Sequence, residues 1–134
     1  PTEILGTSVA SSLRARTDAA NSWGADFFIS IHANASTIES ASGSEGFAYS
    51  ASSRGYPMGE DILFWLNRAT GLENRGMSVR PTLWVLRKSA MPAVLIELGF
   101  ITNASDAALM SEDPGAFATG IYNGIQEYYG FLSR

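Results

Sequence analysis

Residues 25–32 read Ala25-Asp26-Phe27-Phe28-Ile29-Ser30-Ile31-His32. Phe27, Phe28, Ile29 and Ile31 make a short, nearly continuous run of aromatic and β-branched residues. Such a run predicts a strand buried on both faces, the pattern of a parallel sheet. His32, the only histidine of the chain, falls at its carboxyl end, and Ala33-Asn34-Ala35-Ser36 follow as a loop. A second run, Ala93-Val94-Leu95-Ile96-Glu97, closes in a carboxylate. In open α/β sheets, ligands and chemistry gather just beyond the carboxyl ends of the strands. An imidazole and a carboxylate ending two interior strands therefore mark the place to look for a site.

Working outward, Val9, Leu13, Arg16 and Ala20 recur at helical spacing, with Ser8 as N-cap and Gly24 as the stop. After the strand, Ala33–Glu45 reads as an exposed loop rich in Ser, Ala, Thr and Gly, and Gly46–Ser50 as a short strand. Pro57 suits the first position of a helix whose apolar stripe is Met58, Ile62, Trp65, Leu66 and Ala69, closed by Gly71. Leu72–Arg80 is expected to be loop, Leu83–Leu86 a third strand and Ala93–Glu97 a fourth, with Leu98-Gly99-Phe100 turning the chain. A short helix over Asn103–Met110, capped by Asn103 or Ser105, precedes a last one from Gly115 to Phe131. Phe117, Ile121, Ile125, Tyr128 and Leu132 form its inner face. Strands alternating with helices predict a mixed, mostly parallel sheet flanked by helices on both faces.

A chain of 134 residues is one domain with room for a core. Its 46% hydrophobic and 16% charged residues are those of a folded chain, not a disordered one. A net charge of −4 without a basic cluster argues against nucleic acid as partner. The absence of cysteine removes disulfides and thiolate zinc sites. No apolar stretch reaches membrane-spanning length.

His32 alone is better explained by a structural hydrogen bond than by ligation, since a lone histidine at a strand end is more often structural. Glu97 is harder to dismiss. Four apolar residues precede it, and a buried carboxylate without a cation or donor is costly. One reading is an ion pair with Arg87 or Arg16. The other is a carboxylate kept for chemistry, with a raised pKa suited to a general base. Together the two residues fit metal-assisted hydrolysis, with zinc on His32 and protons handled by Glu97.

Several further blocks sharpen this. Leu13–Asn21 (Leu-Arg-Ala-Arg-Thr-Asp-Ala-Ala-Asn), Gly24–Ala35, Gly43-Ser44-Glu45, Arg75-Gly76-Met77-Ser78, Trp84-Val85-Leu86-Arg87 and Met91–Asn103 occur in this order. In order and spacing they resemble the catalytic domain of the zinc-dependent N-acetylmuramoyl-L-alanine amidases of the amidase-3 type. The resemblance implies an amidase-3-like α/β fold and a Zn2+ cofactor. It implies peptidoglycan as substrate and an extracytoplasmic, cell-wall or secreted location. The bond cleaved would join N-acetylmuramic acid to L-alanine. The match to His32 is a zinc ligand, and the match to Glu97 is the catalytic residue that activates water and later protonates the leaving amine.

The same family uses two histidines and a glutamate on zinc. The turn carrying its other histidine and the helix start carrying its ligand glutamate have no counterpart here. A strand–helix–strand unit on the order of 40 residues is therefore expected upstream of Pro1, making residues 1–134 a partial amidase domain. Pro1-Thr2-Glu3 resembles the residues after the family's second strand. The chain by itself is expected to bind zinc poorly, and to self-associate, take up its missing N-terminal segment or fold poorly. Substitute ligands such as Glu45 or Asp18 are the least favoured alternative. Asn34 is expected to orient the metal ligand or the substrate, or to be a turn residue, and Arg87 to meet a stem-peptide carboxylate. Arg16 is expected to clamp Asp26 or Glu45 or to be a solvated helix charge. Trp65 and Trp84 are expected in the core. A second functional reading is an inactive relative that binds peptidoglycan or a regulatory partner. A Ser-His-Asp hydrolase is a third, set back by the lack of a Gly-x-Ser-x-Gly elbow.

Overall fold

The computed structural model describes residues 4–134; Pro1-Thr2-Glu3 lie outside the described residues. Strands β1 (Phe28–Asn34), β2 (Ser44–Ala48), β3 (Asn74–Val79) and β4 (Ala93–Phe100) form one sheet in the order β1-β4-β2-β3. β1 and β4 run parallel, as do β2 and β3, while β2 and β4 are antiparallel. The sheet is mixed and mostly parallel, as the alternation of elements predicts.

Helices cover both faces. α1 (Val9–Trp23) begins at the Ser8 cap, whose side chain accepts from the Ser11 N–H, and ends on Gly24 in the left-handed conformation. α2 (Gly55–Thr70) and α5 (Pro114–Tyr128) pack on one face around Met58, Ile62, Leu63, Leu66, Val94, Ile96 and Phe117. α3 (Trp84–Arg87) and α1 cover the other, where Val85, Leu86, Ala93 and Leu95 are joined by Leu13, Phe28 and Phe47. α4 (Ala104–Glu112), capped by Asn103, follows β4.

Alternation along β4 decides what faces where. Val94 and Ile96 enter the α2–α5 core, whereas Leu95, and with it Glu97, faces the α1–α3 side. The α2–α5 contact is the most extensive between two elements among the described residues. An added Cβ at Gly124 would meet Ile62 Cα at 2.4 Å, so only glycine admits this approach.

Several expectations need correction. β1 is an edge strand among the described residues, and Ile31 is 53% exposed, so it is not buried on both faces. Leu83–Leu86 is not a strand: Leu83 caps a single helical turn that places Val85 and Leu86 in the core. Four apolar residues have no period, so burial alone could not choose between the two. Leu72–Arg80 is not loop but contains β3, an edge strand whose exposed Asn74, Arg75 and Ser78 hide the usual alternation. β4 continues through Leu98-Gly99-Phe100, because Asn34 pairs with Phe100 and extends the ladder. Ser44 and Glu45 belong to β2 rather than to the preceding loop. α2 starts at Gly55, placing Pro57 third, still within the turn where a missing N–H costs nothing. α5 ends at Tyr128, so Leu132 lies past the helix.

Candidate active site

The strand register assembles the site. His32 of β1 pairs with Glu97 of β4, and Glu97 is also opposite Glu45 of β2. One imidazole and two carboxylates thus lie in a row across three adjacent strands, on the α1–α3 face. Phe28, Ser30 and His32 share that face on β1, as do Glu45 and Phe47 on β2.

Each member is held differently. The Ser30 hydroxyl, one pleat back, lies 2.7 Å from His32 Nε2. Burial, and then the Arg16 guanidinium, lower the pKa of His32 and favour the neutral ring. Glu45 accepts a bond from Asn34 Nδ2 at 2.5 Å and pairs with Arg75 Nε at 3.7 Å. Glu97 has no such support: its Oε2 is buried and has no hydrogen-bond partner among the described residues. Burial, then the neighbouring Glu45 charge, push its pKa up, against a smaller pull from Arg80. An orphaned buried carboxylate oxygen with raised proton affinity is what a general base requires.

Arg87 does not join this group. It stacks over Trp84 at 5.7 Å and lines a separate cleft of about 460 Å³ with Tyr49, Arg54 and Met91. That cleft lies toward Ala93, about 13 Å along β4 from Glu97. The expected ion pair of Glu97 with Arg87 or Arg16 is likewise not formed among the described residues. Arg16 donates to Ser12 Oγ at 3.0 Å and clamps neither Asp26 nor Glu45; Arg75 takes the Glu45 role. Asn34 is no mere turn residue, since it ties the end of β1 to Glu45 across β4. Asp18, on α1, makes no metal group with the row. Trp65 and Trp84 are half-buried packing residues whose indole N–H groups donate to Glu127 Oε2 and Thr17 Oγ1.

Sequence reasoning missed Arg75, Arg80, Ser30 and Asp106. Asp106 is fully buried and accepts from Ser42 Oγ at 2.6 Å, Gly43 N at 3.0 Å and Phe100 N at 2.9 Å. It joins the approach to Glu45 to the exit from Glu97. The only signal for it was a carboxylate three residues after the N-cap Asn103, the position of a capping box.

The family resemblance implies zinc, and the donor set tests the fit. Among the described residues, no group of three His, Cys, Asp or Glu side chains is gathered to hold a metal. His32 supplies one nitrogen donor, with the free Glu97 oxygen in the next strand. A catalytic zinc site needs three protein ligands and an open position. The residues present fit one corner of such a site, the corner where a ligand meets a general base. On the outer side of His32, an open cleft of about 520 Å³ runs between it, Arg16, Leu13 and the 4–9 segment.

Fold and site define an α/β domain that carries an imidazole and two carboxylates across the strand ends, a constellation suited to hydrolysis. Comparison with known proteins makes this specific. Residues 4–127 match the N-acetylmuramoyl-L-alanine amidase family of the amidase-3 type, and the chain belongs to that family. It is 37% identical over 123 residues to the N-acetylmuramoyl-L-alanine amidase LytC of Bacillus subtilis, covering 88% of this chain and 24% of that protein. It is 40% identical over 121 residues to CwlM of Bacillus licheniformis, covering 85% and 45%. Among solved structures, the CwlD amidase of Clostridioides difficile in complex with the GerS lipoprotein superposes with a TM-score of 0.84 at 27% identity. The alignment covers 92% of this chain and 64% of CwlD. The catalytic domain of CwlV from Bacillus (Paenibacillus) polymyxa superposes with a TM-score of 0.78 at 32% identity, covering 90% and 66%. The chain therefore spans less than half the length of these two sequence relatives and about two thirds of these two solved chains.

Proposed function

We propose that this chain is part of the catalytic domain of a peptidoglycan amidase that hydrolyses the amide between N-acetylmuramic acid and L-alanine. Glu97 is the general base and acid, and His32 is one ligand of a zinc ion whose other ligands come from outside residues 4–134. The observation that carries this reading is the unpartnered, buried Oε2 of Glu97 beside His32. A structural carboxylate would be expected to have a partner. That favours the enzyme over an inactive relative that only binds the wall.

The chemistry a bound zinc ion supplies is polarisation of the amide carbonyl and a lowered pKa for water. The chain's own part is proton handling. Glu97, ionised, takes a proton from the attacking water as its oxygen bonds to the lactyl carbonyl carbon. The protonated Glu97 then gives that proton to the L-alanine nitrogen as the C–N bond breaks, releasing a carboxylic acid and a free amine. No covalent enzyme intermediate is required. Burial and Glu45 keep Glu97 proton-hungry enough for both halves. Asn34 and Arg75 hold Glu45 in place beside it.

The substrate puts the protein at the cell wall, outside the cytoplasmic membrane. No described helix is long and apolar enough to cross a membrane. Replacing Glu97 with Ala in the full-length protein is expected to lower muropeptide release by a factor of 10² or more. Its zinc content should be unchanged. Undiminished release from that variant would remove Glu97 from the mechanism.

A further inference from the structure

Ser30 and His32 stand on the same face of β1, and the Ser30 hydroxyl oxygen lies 2.7 Å from His32 Nε2. Ser30 is only 7% exposed and pairs with Leu95 of β4. The same face carries the apolar cluster that includes Leu95, Phe28 and Leu13. A hydroxyl set into such a wall is costly unless it is hydrogen-bonded, and packing alone would favour an apolar side chain there. Among the described residues, His32 is the one side-chain partner of that hydroxyl. The other ring nitrogen, Nδ1, has no hydrogen-bond partner among the described residues, and His32 lines the open cleft of about 520 Å³ together with Arg16.

We infer that Ser30 is a positioning residue for the metal ligand: its hydroxyl engages Nε2, so that Nδ1 is the ring nitrogen His32 offers to zinc. The metal in this inference rests on the amidase reading; the choice of nitrogen rests on the geometry of β1. Each imidazole nitrogen has one in-plane position, filled by a proton or a lone pair. At Nε2 that position is taken by the Ser30 oxygen. An ion there, about 2.0–2.1 Å from the nitrogen, would force the hydroxyl off its partner and leave it unpaired in the apolar wall. At Nδ1 no described group has to move. In the metal-free ring the bond can run either way, with Ser30 donating to a bare Nε2 or accepting from Nε2–H. Ligation through Nδ1 removes the choice. The ring proton then sits on Nε2, Nε2–H donates, and Ser30 Oγ accepts. A partner on the second nitrogen fixes the tautomer and the plane of the ring and makes the ligating nitrogen more basic.

The test reads the metal and the ring rather than turnover. Zinc affinity of the full-length protein, measured by competition with a chromophoric chelator, is expected to fall roughly tenfold or more in Ser30→Ala. Nitrogen NMR of the zinc-loaded protein, with isotope-labelled histidine, reads the ring directly. The His32 signals, assigned by their loss in His32→Asn, should show a metal-shifted Nδ1 and a protonated Nε2. The Nε2 proton should exchange slowly with water in the unsubstituted protein and several-fold faster in Ser30→Ala. Zinc carried on Nε2, or a Ser30→Ala variant with unchanged zinc affinity and unchanged proton exchange, overturns the assignment and leaves His32 as a ligand. So does a Ser30→Ala variant that loses thermal stability without its zinc affinity or ring signals moving, since Ser30 would then serve packing alone. Zinc binding that is absent from the unsubstituted protein, or untouched by His32→Asn, refutes the ligand role of His32 itself, and with it the zinc-amidase reading.

Discussion

Glu45 and Glu97 stand directly opposite one another across the antiparallel β2–β4 pair, and among the described residues only Glu45 has a cation against it. Like charges directly opposed in a sheet repel, so the proton affinity of Glu97 depends on its neighbour. Glu45→Gln removes the charge and keeps an oxygen for Asn34. The Glu97 pKa should then fall, because one of its two raising influences is gone. A base that works ionised becomes competent at lower pH. The acidic limb of the kcat/KM profile of the full-length protein should therefore move to lower pH. A limb that stays put, or moves up, would show that Glu45 does not tune Glu97.

The cost of holding Glu97 without a partner should be visible in stability. A carboxylate whose folded pKa is raised destabilises the fold where it must ionise, that is, at pH above its folded pKa. The penalty disappears below the ordinary carboxylate range, where both folded and unfolded forms are protonated. Glu97→Gln should thus stabilise the protein by about 1 kcal/mol at neutral pH while abolishing turnover. The stability gain should shrink as pH falls. Thermal unfolding of both proteins at neutral and acid pH measures this directly.

Asp106 fixes the frame around the two carboxylates. Asp106→Ala leaves the Gly43 and Phe100 N–H groups without their acceptor in a buried place. The expected loss is about 3 kcal/mol, read as a lower urea midpoint with the slope unchanged.

The contact between α2 and α5 depends on Gly124 rather than on side-chain chemistry. An alanine there drives its Cβ into the Ile62 backbone and should cost roughly 2 kcal/mol after its better helix propensity is counted. Gly115→Ala, in the same helix with nothing nearer than 3.8 Å, is the control and should be neutral or slightly stabilising. Equal behaviour of the two in denaturant would contradict the close-packed crossing.

Much of this protein was legible in the order of its residues. The caps at Ser8, Gly24, Gly71 and Asn103 set helix ends through local backbone chemistry. The stripe from Met58 to Leu66 set a buried face by its period. The runs leading to His32 and Glu97 singled out an imidazole and a carboxylate that prove to be paired on neighbouring strands. The polar edge strand β3 and the apolar turn at Leu83–Leu86 misled, for opposite reasons: one is a strand without a buried face, the other a buried face without a strand. Residue types and their spacing thus determined the elements and named the imidazole and the carboxylate. Only the tertiary structure decided that β4 lies between β1 and β2, so that His32, Glu97 and Glu45 align, that Asn34 reaches Glu45 over 11 residues of chain, and that Arg87 faces a different cleft. Strand order and register are set by packing two helical layers against one sheet, a long-range property that no local stretch of the chain encodes.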